Sequence, residues 1–152
     1  MDRSSVIAKL ARHTGHPDPD GVTIFTDTSD FFAINSGDVV VLKERAFLVG
    51  NNTREGRFGL DEEVKHWVKR ARDLDDGSAK VLKLTFHETF EADIGGVRFQ
   101  CFRSPRKESR ILELMAEHPN FMHGVWYTDT AGNNVRVLDF IRGKPLADRV
   151  EA

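Results

Sequence analysis

Short apolar or alternating runs occupy most of this chain, and a helical period of three to four residues replaces them in two segments. The first helical segment covers residues 2–13, where the apolar side chains between Val6 and Ala11 fall on one face. The second covers residues 106–117 and follows the capping residue Ser104 and a proline at the first helical position. The pattern therefore predicts two amphipathic helices.

The remaining apolar runs are typical of β-strands, because they are short and are bounded by turn-forming residues. Three of them form a predicted β-meander near the start of the chain, and two form a hairpin around Gly95 and Gly96. The predicted strands are residues 22–25, 31–35 and 39–42 in the meander, then 46–49, 64–72, 80–86, the hairpin 90–94 and 97–102, and finally 121–127 and 134–141. Strands and helices together predict an α+β fold.

Composition excludes several classes of function. The 152 residues are one domain's length, and 39% hydrophobic with 30% charged residues is an ordinary globular balance. A net charge of -2 with mixed signs gives no basis for binding nucleic acid or an anionic membrane. No apolar run is long enough to predict a signal peptide or a membrane span, and the single Cys101 excludes an internal disulfide. We therefore expect a cytoplasmic protein.

A cluster of histidines and acids follows the first helix. His13, His16, Asp18 and Asp20 are metal-ligand types, but prolines interrupt the segment and no further ligands accompany it. A solvated loop explains these residues better than a metal site. We predict no metal.

The pair that carries chemistry is Lys83 on a predicted strand and Glu108 on the second helix. Lys83 shares its strand face with Val81, and Glu108 lies one helical turn before Leu112. A buried ammonium needs a carboxylate partner, which lowers the desolvation cost and orients the charge. The alternative is that Lys83 is a solvated strand residue and Glu108 an ordinary helix-surface acid.

Four segments in the same order resemble a known family, the eukaryotic-type Ser/Thr protein kinases. They are residues 80–83 (Lys-Val-Leu-Lys), similar to the third-strand lysine motif; 108–112 (Glu-Ser-Arg-Ile-Leu), similar to the C-helix; 118–121 (His-Pro-Asn-Phe), similar to the segment after it; and 137–143, similar to the fifth strand and hinge. The resemblance covers residues 45–152 and implies an N-terminal, ATP-binding lobe that ends just after the hinge. Residues 1–44 form an N-terminal extension outside it, for which a docking element, an extra sheet and a dimerisation element remain open.

The resemblance implies a fold and a nucleotide site. The fold is a twisted, antiparallel five-stranded sheet with one C-helix, to which the extension adds a helix and the small meander. In such a lobe a lysine, here Lys83, binds the α- and β-phosphates of ATP with Mg, and a glutamate, here Glu108, fixes that lysine. The implied glycine-rich loop contains Gly56, Phe58 and Gly59, although Arg54 stands at its first glycine position. Taken alone, this loop fits a plain hairpin turn equally well.

The implied adenine pocket combines one strand residue with the hinge. Val81 takes the position where the family usually has alanine, and Gly124 falls where the family has an apolar side chain. The pocket and hinge residues are Val81, Leu138 at the gatekeeper position, Asp139, Phe140 and Ile141.

The sequence contains neither the His-Arg-Asp nor the Asp-Phe-Gly motif that a complete kinase uses for its base and metal ligands. No catalytic residue is therefore assigned, and the lobe is expected to be inactive alone. The chain is either the small lobe of a Ser/Thr kinase-like phosphotransferase or a stand-alone, pseudokinase-like interaction module without nucleotide chemistry. We expect the missing C-lobe, a protein partner or a second copy to cover its apolar underside.

Overall fold

The computed structural model describes residues 1–15, 18–52, 66–85, 89–102 and 104–143. Two α-helices, α1 (Arg3–Thr14) and α2 (Pro105–Leu114), accompany short 3₁₀ turns at Pro19–Gly21 and Phe31–Ala33. The strands are β1 (Ile24–Phe25), β2 (Val39–Leu42), β3 (Arg45–Asn52), β4 (His66–Asp73), β5 (Ala79–Thr85), β6 (Thr89–Ile94), β7 (Val97–Phe102), β8 (Gly124–Thr128) and β9 (Asn134–Asp139). The predicted α+β class is confirmed.

The main sheet has seven strands in the order β1-β2-β3-β4-β5-β9-β8. Only the first pair, β1 and β2, is parallel. The predicted count of five strands is wrong because β1 and β2 join the same sheet. All four side chains of β2 are buried, so this strand needs covering layers on both faces of the sheet.

The first helix forms where it was predicted. Asp2 caps it by accepting a hydrogen bond from the Ser5 amide at 2.7 Å, and Gly15 ends it with a φ of 83°. Val6 and Leu10 lie one turn apart and are buried against β2 and β3. This helix therefore covers one face of that end of the sheet.

The predicted β-meander is wrong in two respects. Residues 31–33 form a 3₁₀ turn instead of a strand, and β1 pairs with β2 in parallel, which a meander does not allow. A continuous apolar run does not distinguish a strand from a compact turn. Here the turn places Ile34, which is fully buried, over the sheet.

Ile34 belongs to the larger of two core clusters, on the sheet face opposite α1. It packs with residues of β2 to β5 and β9, including Phe47, Leu82 and the indole of Trp67. Trp67 therefore packs beneath residues of the N-terminal extension. The extension therefore supplies the second layer of the core.

Asp129, in the turn between β8 and β9, binds the N-terminal extension to the sheet through hydrogen bonds. Its carboxylate accepts hydrogen bonds from the amide and hydroxyl of Thr28 at 2.6 and 2.7 Å, and from the amide and side chain of Asn133 at 2.8 and 2.9 Å. Burial by itself would raise the pKa of Asp129, but the hydrogen bonds from Asn133 and Thr28 outweigh it and lower that pKa. The buried carboxylate thus joins residues that are about a hundred positions apart in the chain.

Strands β6 and β7 form a separate two-stranded sheet, as predicted for the inserted hairpin. Gly95 and Gly96 both adopt positive φ, as a two-residue hairpin turn requires. Helix α2 begins as predicted, with Ser104 accepting a hydrogen bond from the Lys107 amide, and ends at Leu114.

Within the described ranges, neither helix is both long and apolar enough to cross a membrane.

Candidate functional site

The structure brings Lys83 and Glu108 together. Lys83 lies in the middle of β5, and Glu108 lies in the first turn of α2, which packs on the same face of the sheet. The Lys83 Nζ is 2.8 Å from Glu108 Oε1, and both side chains are partly buried, at 23% and 29% exposure. The predicted contact between these two residues is therefore present.

A third charged residue, Arg136, completes this group and was not predicted. It lies directly opposite Lys83 on β9, and its side chain is fully buried. Arg136 Nε is 3.4 Å from Glu108 Oε2, and its Nη2 donates a hydrogen bond to the backbone oxygen of Lys83 at 3.3 Å. Glu108 therefore shares its two carboxylate oxygens between two cations.

Burial lowers the pKa of Arg136, and the charge of Glu108 acts against that shift. An arginine stays protonated far above neutral pH, so the buried guanidinium remains a cation. The carboxylate of Glu108 compensates it.

Arg136 was missed because its local sequence favours a different orientation. It stands between Val135 and Val137 in an alternating strand, which favours a solvent-facing side chain. The correct placement required the strand register, because Arg136 faces α2 only when it pairs with Lys83. Two cations opposite each other on neighbouring strands need a shared acid, which Glu108 provides.

The predicted adenine-pocket residues lie in the adjacent row of the same sheet face. Val81 pairs with Arg70 on one side and with Leu138 on the other, and Leu138 pairs with Gly124. A Cβ at Gly124 would lie 2.7 Å from the Leu138 side chain and 2.9 Å from the Val137 backbone oxygen. Only glycine fits there, because the Leu138 side chain already fills the space.

The three predicted hinge residues differ in their surroundings. The amides of Asp139 and Phe140 donate to the backbone oxygens of His123 and Ala79, at 2.8 and 3.2 Å. The Asp139 carboxylate accepts a hydrogen bond from Lys80 at 2.5 Å, on the sheet face opposite Lys83. Ile141 is exposed.

The Phe140 ring lies beneath the guanidinium of Arg70, and the Cζ atom of Arg70 is 4.9 Å from the ring centroid. Arg70 in turn faces Val81 across β4 and β5. The structure thus places Val81, Leu138 and Phe140 around one end of the site and Lys83 further along β5.

The predicted glycine-rich loop, with Gly56, Phe58 and Gly59, lies outside the described residues, as does His16. Among the residues that are described, no group of three or more His, Cys, Asp or Glu side chains could hold a metal ion. His13 instead contacts the backbone oxygen of Leu74 at 3.2 Å.

An apolar groove adjoins Glu108 beside α2. It has a volume of about 260 Å³, and its lining includes Leu112, Phe121 and Met122. The neighbouring apolar side chains are strongly exposed, at 42% for Ile111 and 71% for Leu114. The end of the sheet that carries the ion pair is therefore next to uncovered apolar surface.

No protein-family model matches this chain, and a search of curated proteins also gave no match.

Proposed function

We propose that this chain is the ATP-binding small lobe of a Ser/Thr protein kinase-like phosphotransferase. The observation that carries the proposal is the 2.8 Å contact between Lys83 Nζ and Glu108 Oε1, made by a sheet lysine and a helix glutamate. In protein kinases such a pair must be in place for phosphoryl transfer. The resemblance of the surrounding sequence adds support.

The residues around this pair suit a nucleotide. The Lys83 ammonium is partly exposed, so a phosphate can reach it without unfolding of the site. Val81 and Phe140 supply apolar surface for a base. The amides of Asp139 and Phe140 already donate hydrogen bonds, whereas the Ile141 N–H donates to no other described residue and could donate to the base. ATP with Mg would bring the transferable phosphoryl group, and Lys83 would hold its α- and β-phosphates.

The remaining parts of a phosphotransferase must come from outside the described site. The sequence has no His-Arg-Asp or Asp-Phe-Gly motif, so a base and metal ligands of the kinase type require a second lobe. We propose that this C-lobe packs against the apolar surface near Ile111 and Leu114. Alone, the small lobe would bind Mg-ATP weakly, because one wall of the cleft is absent.

An NMR titration with Mg-ATP tests the nucleotide role, since it detects weak binding residue by residue. Lys83→Met should weaken binding roughly ten- to a hundredfold, the loss expected for a charged hydrogen bond. Lys69→Met is the control, because Lys69 lies on the neighbouring strand β4 and pairs with Leu82, on the face opposite Lys83. Equal affinity of Lys83→Met and the unsubstituted chain would remove Lys83 from the phosphate role.

A second function, a pseudokinase-like interaction module, is favoured by a separate observation. Val81 stands where kinases usually have alanine, and Ile111, Leu114 and Phe121 expose apolar surface beside a groove. Such a module would bind a protein partner or a second copy without nucleotide chemistry. Sedimentation that shows concentration-dependent association, together with no Mg-ATP effect on any resonance, would favour it over the first function.

A further inference from the structure

Strand β8 is an edge of the seven-stranded sheet, with β9 as its neighbour. The Asp139 amide donates to the His123 oxygen, so hydrogen-bonded pairs with β9 occur at residues 123, 125 and 127. The backbone groups of Gly124, Trp126 and Thr128 therefore point away from β9. The sequence of this strand, Gly-Val-Trp-Tyr-Thr, contains none of the charged residues or prolines that usually protect an edge.

Helix α2 packs on one face of the sheet, over β8 and β9. The Trp126 indole N–H donates to Glu113 at 2.8 Å, and further along Ala116 lines a cavity together with Gly124. The helix and the strand therefore run in opposite directions. Between them lies a groove of about 490 Å³ that the Trp126 indole and Thr128 line from the strand side.

Two arginines line this groove from the helix side. Arg106 and Arg110 are four residues apart, both are exposed, and neither pairs with a carboxylate of a described residue. The one acid that lines the groove, Glu113, already accepts the Trp126 hydrogen bond. The groove therefore presents net positive charge next to backbone donors and acceptors of β8 that pair with no other described residue.

We propose that the α2–β8 groove binds an extended acidic peptide, which adds to the sheet as a strand beside β8. Main-chain hydrogen bonds to Trp126 and Thr128 would supply part of the affinity, as in other cases of strand addition. Acidic side chains on the helix-facing side of the peptide would pair with Arg106 and Arg110. This site is independent of the proposed nucleotide site.

The spacing supports two acids separated by one residue. Four helical residues span about 6 Å along the axis, which is the distance between the levels of Arg106 and Arg110. Side chains on one face of a strand are about 6.6 to 6.8 Å apart. An acidic residue at every second position of the peptide therefore matches the two guanidinium groups.

The charges disfavour a second copy of this chain as the occupant. Antiparallel pairing of two β8 edges would place both α2 helices on the same face of the joined sheet. Arg106 and Arg110 of one copy would then approach the same arginines of the other. An acidic peptide neutralises these charges instead.

Fluorescence anisotropy with a labelled peptide, Ser-Glu-Val-Glu-Val-Glu-Val-Ser, tests the proposal on the full chain. The same peptide with glutamine at each glutamate position serves as the control. We expect the glutamate peptide to bind, and Arg106→Gln combined with Arg110→Gln to weaken its binding roughly tenfold, as two partly exposed ion pairs are lost. Lys107→Gln, which removes a neighbouring exposed charge outside the groove, should leave the affinity unchanged.

The backbone contribution is tested separately by Thr128→Pro. This change removes an outward N–H without removing a hydrogen bond to β9, so the sheet is retained while strand addition is blocked. We expect Thr128→Pro to lose binding of the peptide. In NMR spectra of the unsubstituted chain, the peptide should shift the indole resonance of Trp126 and leave that of Trp67 unchanged. If Thr128→Pro does not fold, the arginine variants decide the matter.

Equal binding of the glutamine peptide, or unchanged affinity in the arginine variants, would overturn the proposal. So would concentration-dependent dimerisation that Thr128→Pro abolishes, because β8 would then pair with a second copy.

Discussion

Glu108→Gln should destabilise the protein far more than Lys83→Met, although both substitutions remove the same ion pair. Glutamine keeps the shape of the side chain and an acceptor oxygen, but it removes the negative charge that lies 3.4 Å from Arg136, a side chain at 0% exposure. Removal of one partner from a fully buried pair costs about 3 to 5 kcal/mol. Since Glu108 is 29% exposed, we expect about 2 to 3 kcal/mol after a discount for solvent screening.

Lys83→Met should cost less than about 1 kcal/mol, because Lys83 is partly exposed and Glu108 keeps Arg136 as a partner. Arg136→Met should also cost less than Glu108→Gln, since it removes the buried cation itself. The double variant Glu108→Gln/Arg136→Met should therefore recover at least about 1 kcal/mol relative to Glu108→Gln alone.

Urea unfolding followed by tryptophan fluorescence measures these free energies, because Trp67 is buried in the core. In thermal unfolding, Glu108→Gln should lower Tm by about 4 to 12 °C. Glu117→Gln is the control, since it changes an exposed carboxylate just after the same helix. The reasoning is refuted if Lys83→Met is as destabilising as Glu108→Gln, or if the double variant shows no recovery.

Three further substitutions test the fold. Asp129→Asn should cost about 2 to 4 kcal/mol in urea unfolding, because it weakens several buried hydrogen bonds to one carboxylate. The pKa of Asp129 is lowered in the folded state. Its contribution to the free energy of unfolding is therefore present above the unfolded pKa of about 4 and is lost as pH falls through the folded pKa. An Asp129→Asn variant that loses as much stability in acid as the parent would contradict this. Gly124→Ala should cost about 1 to 3 kcal/mol through overpacking, whereas Gly143→Ala, where a Cβ meets open space, should be neutral; equal Tm values for the two would contradict the packing. Leu10→Ala should cost about 2 to 4 kcal/mol, because Leu10 docks α1 on the core, and an unchanged urea midpoint would show that the helix is dispensable.

The fold was predictable where a pattern is local. The cap at Ser104, the glycine pair at Gly95 and Gly96 and the alternation in β5 each determine structure within a few residues, and these elements lie where they were predicted. The 3₁₀ turn before Ile34 was missed, because its conformation depends on what it covers, namely a sheet face formed by distant strands. The buried Thr28–Asp129 contact joins two turns, and no periodicity relates them.

In the candidate site too, local patterns were predictable and contacts that depend on distant residues were not. Lys83 and Glu108 could be paired in advance because each lies in a local pattern with a known partner in the kinase resemblance. Arg136 could not, because its burial depends on the register of β9 against β5 and on the position of α2 above both strands. A strand arginine between two valines has the same local sequence whether or not a helix covers it.

The position of Arg136 bears directly on the proposed function. In protein kinases the contact between the lysine and the glutamate must be in place for phosphoryl transfer, and it depends on the position of the helix. Here Glu108 Oε2 faces Arg136 Nε at 3.4 Å, whereas Lys83 faces the other oxygen. If Lys83 turns towards a phosphate, Glu108 therefore keeps a buried cation, and α2 keeps a bond to the sheet. On the proposed function, the shared carboxylate would hold α2 in place while Lys83 binds a phosphate.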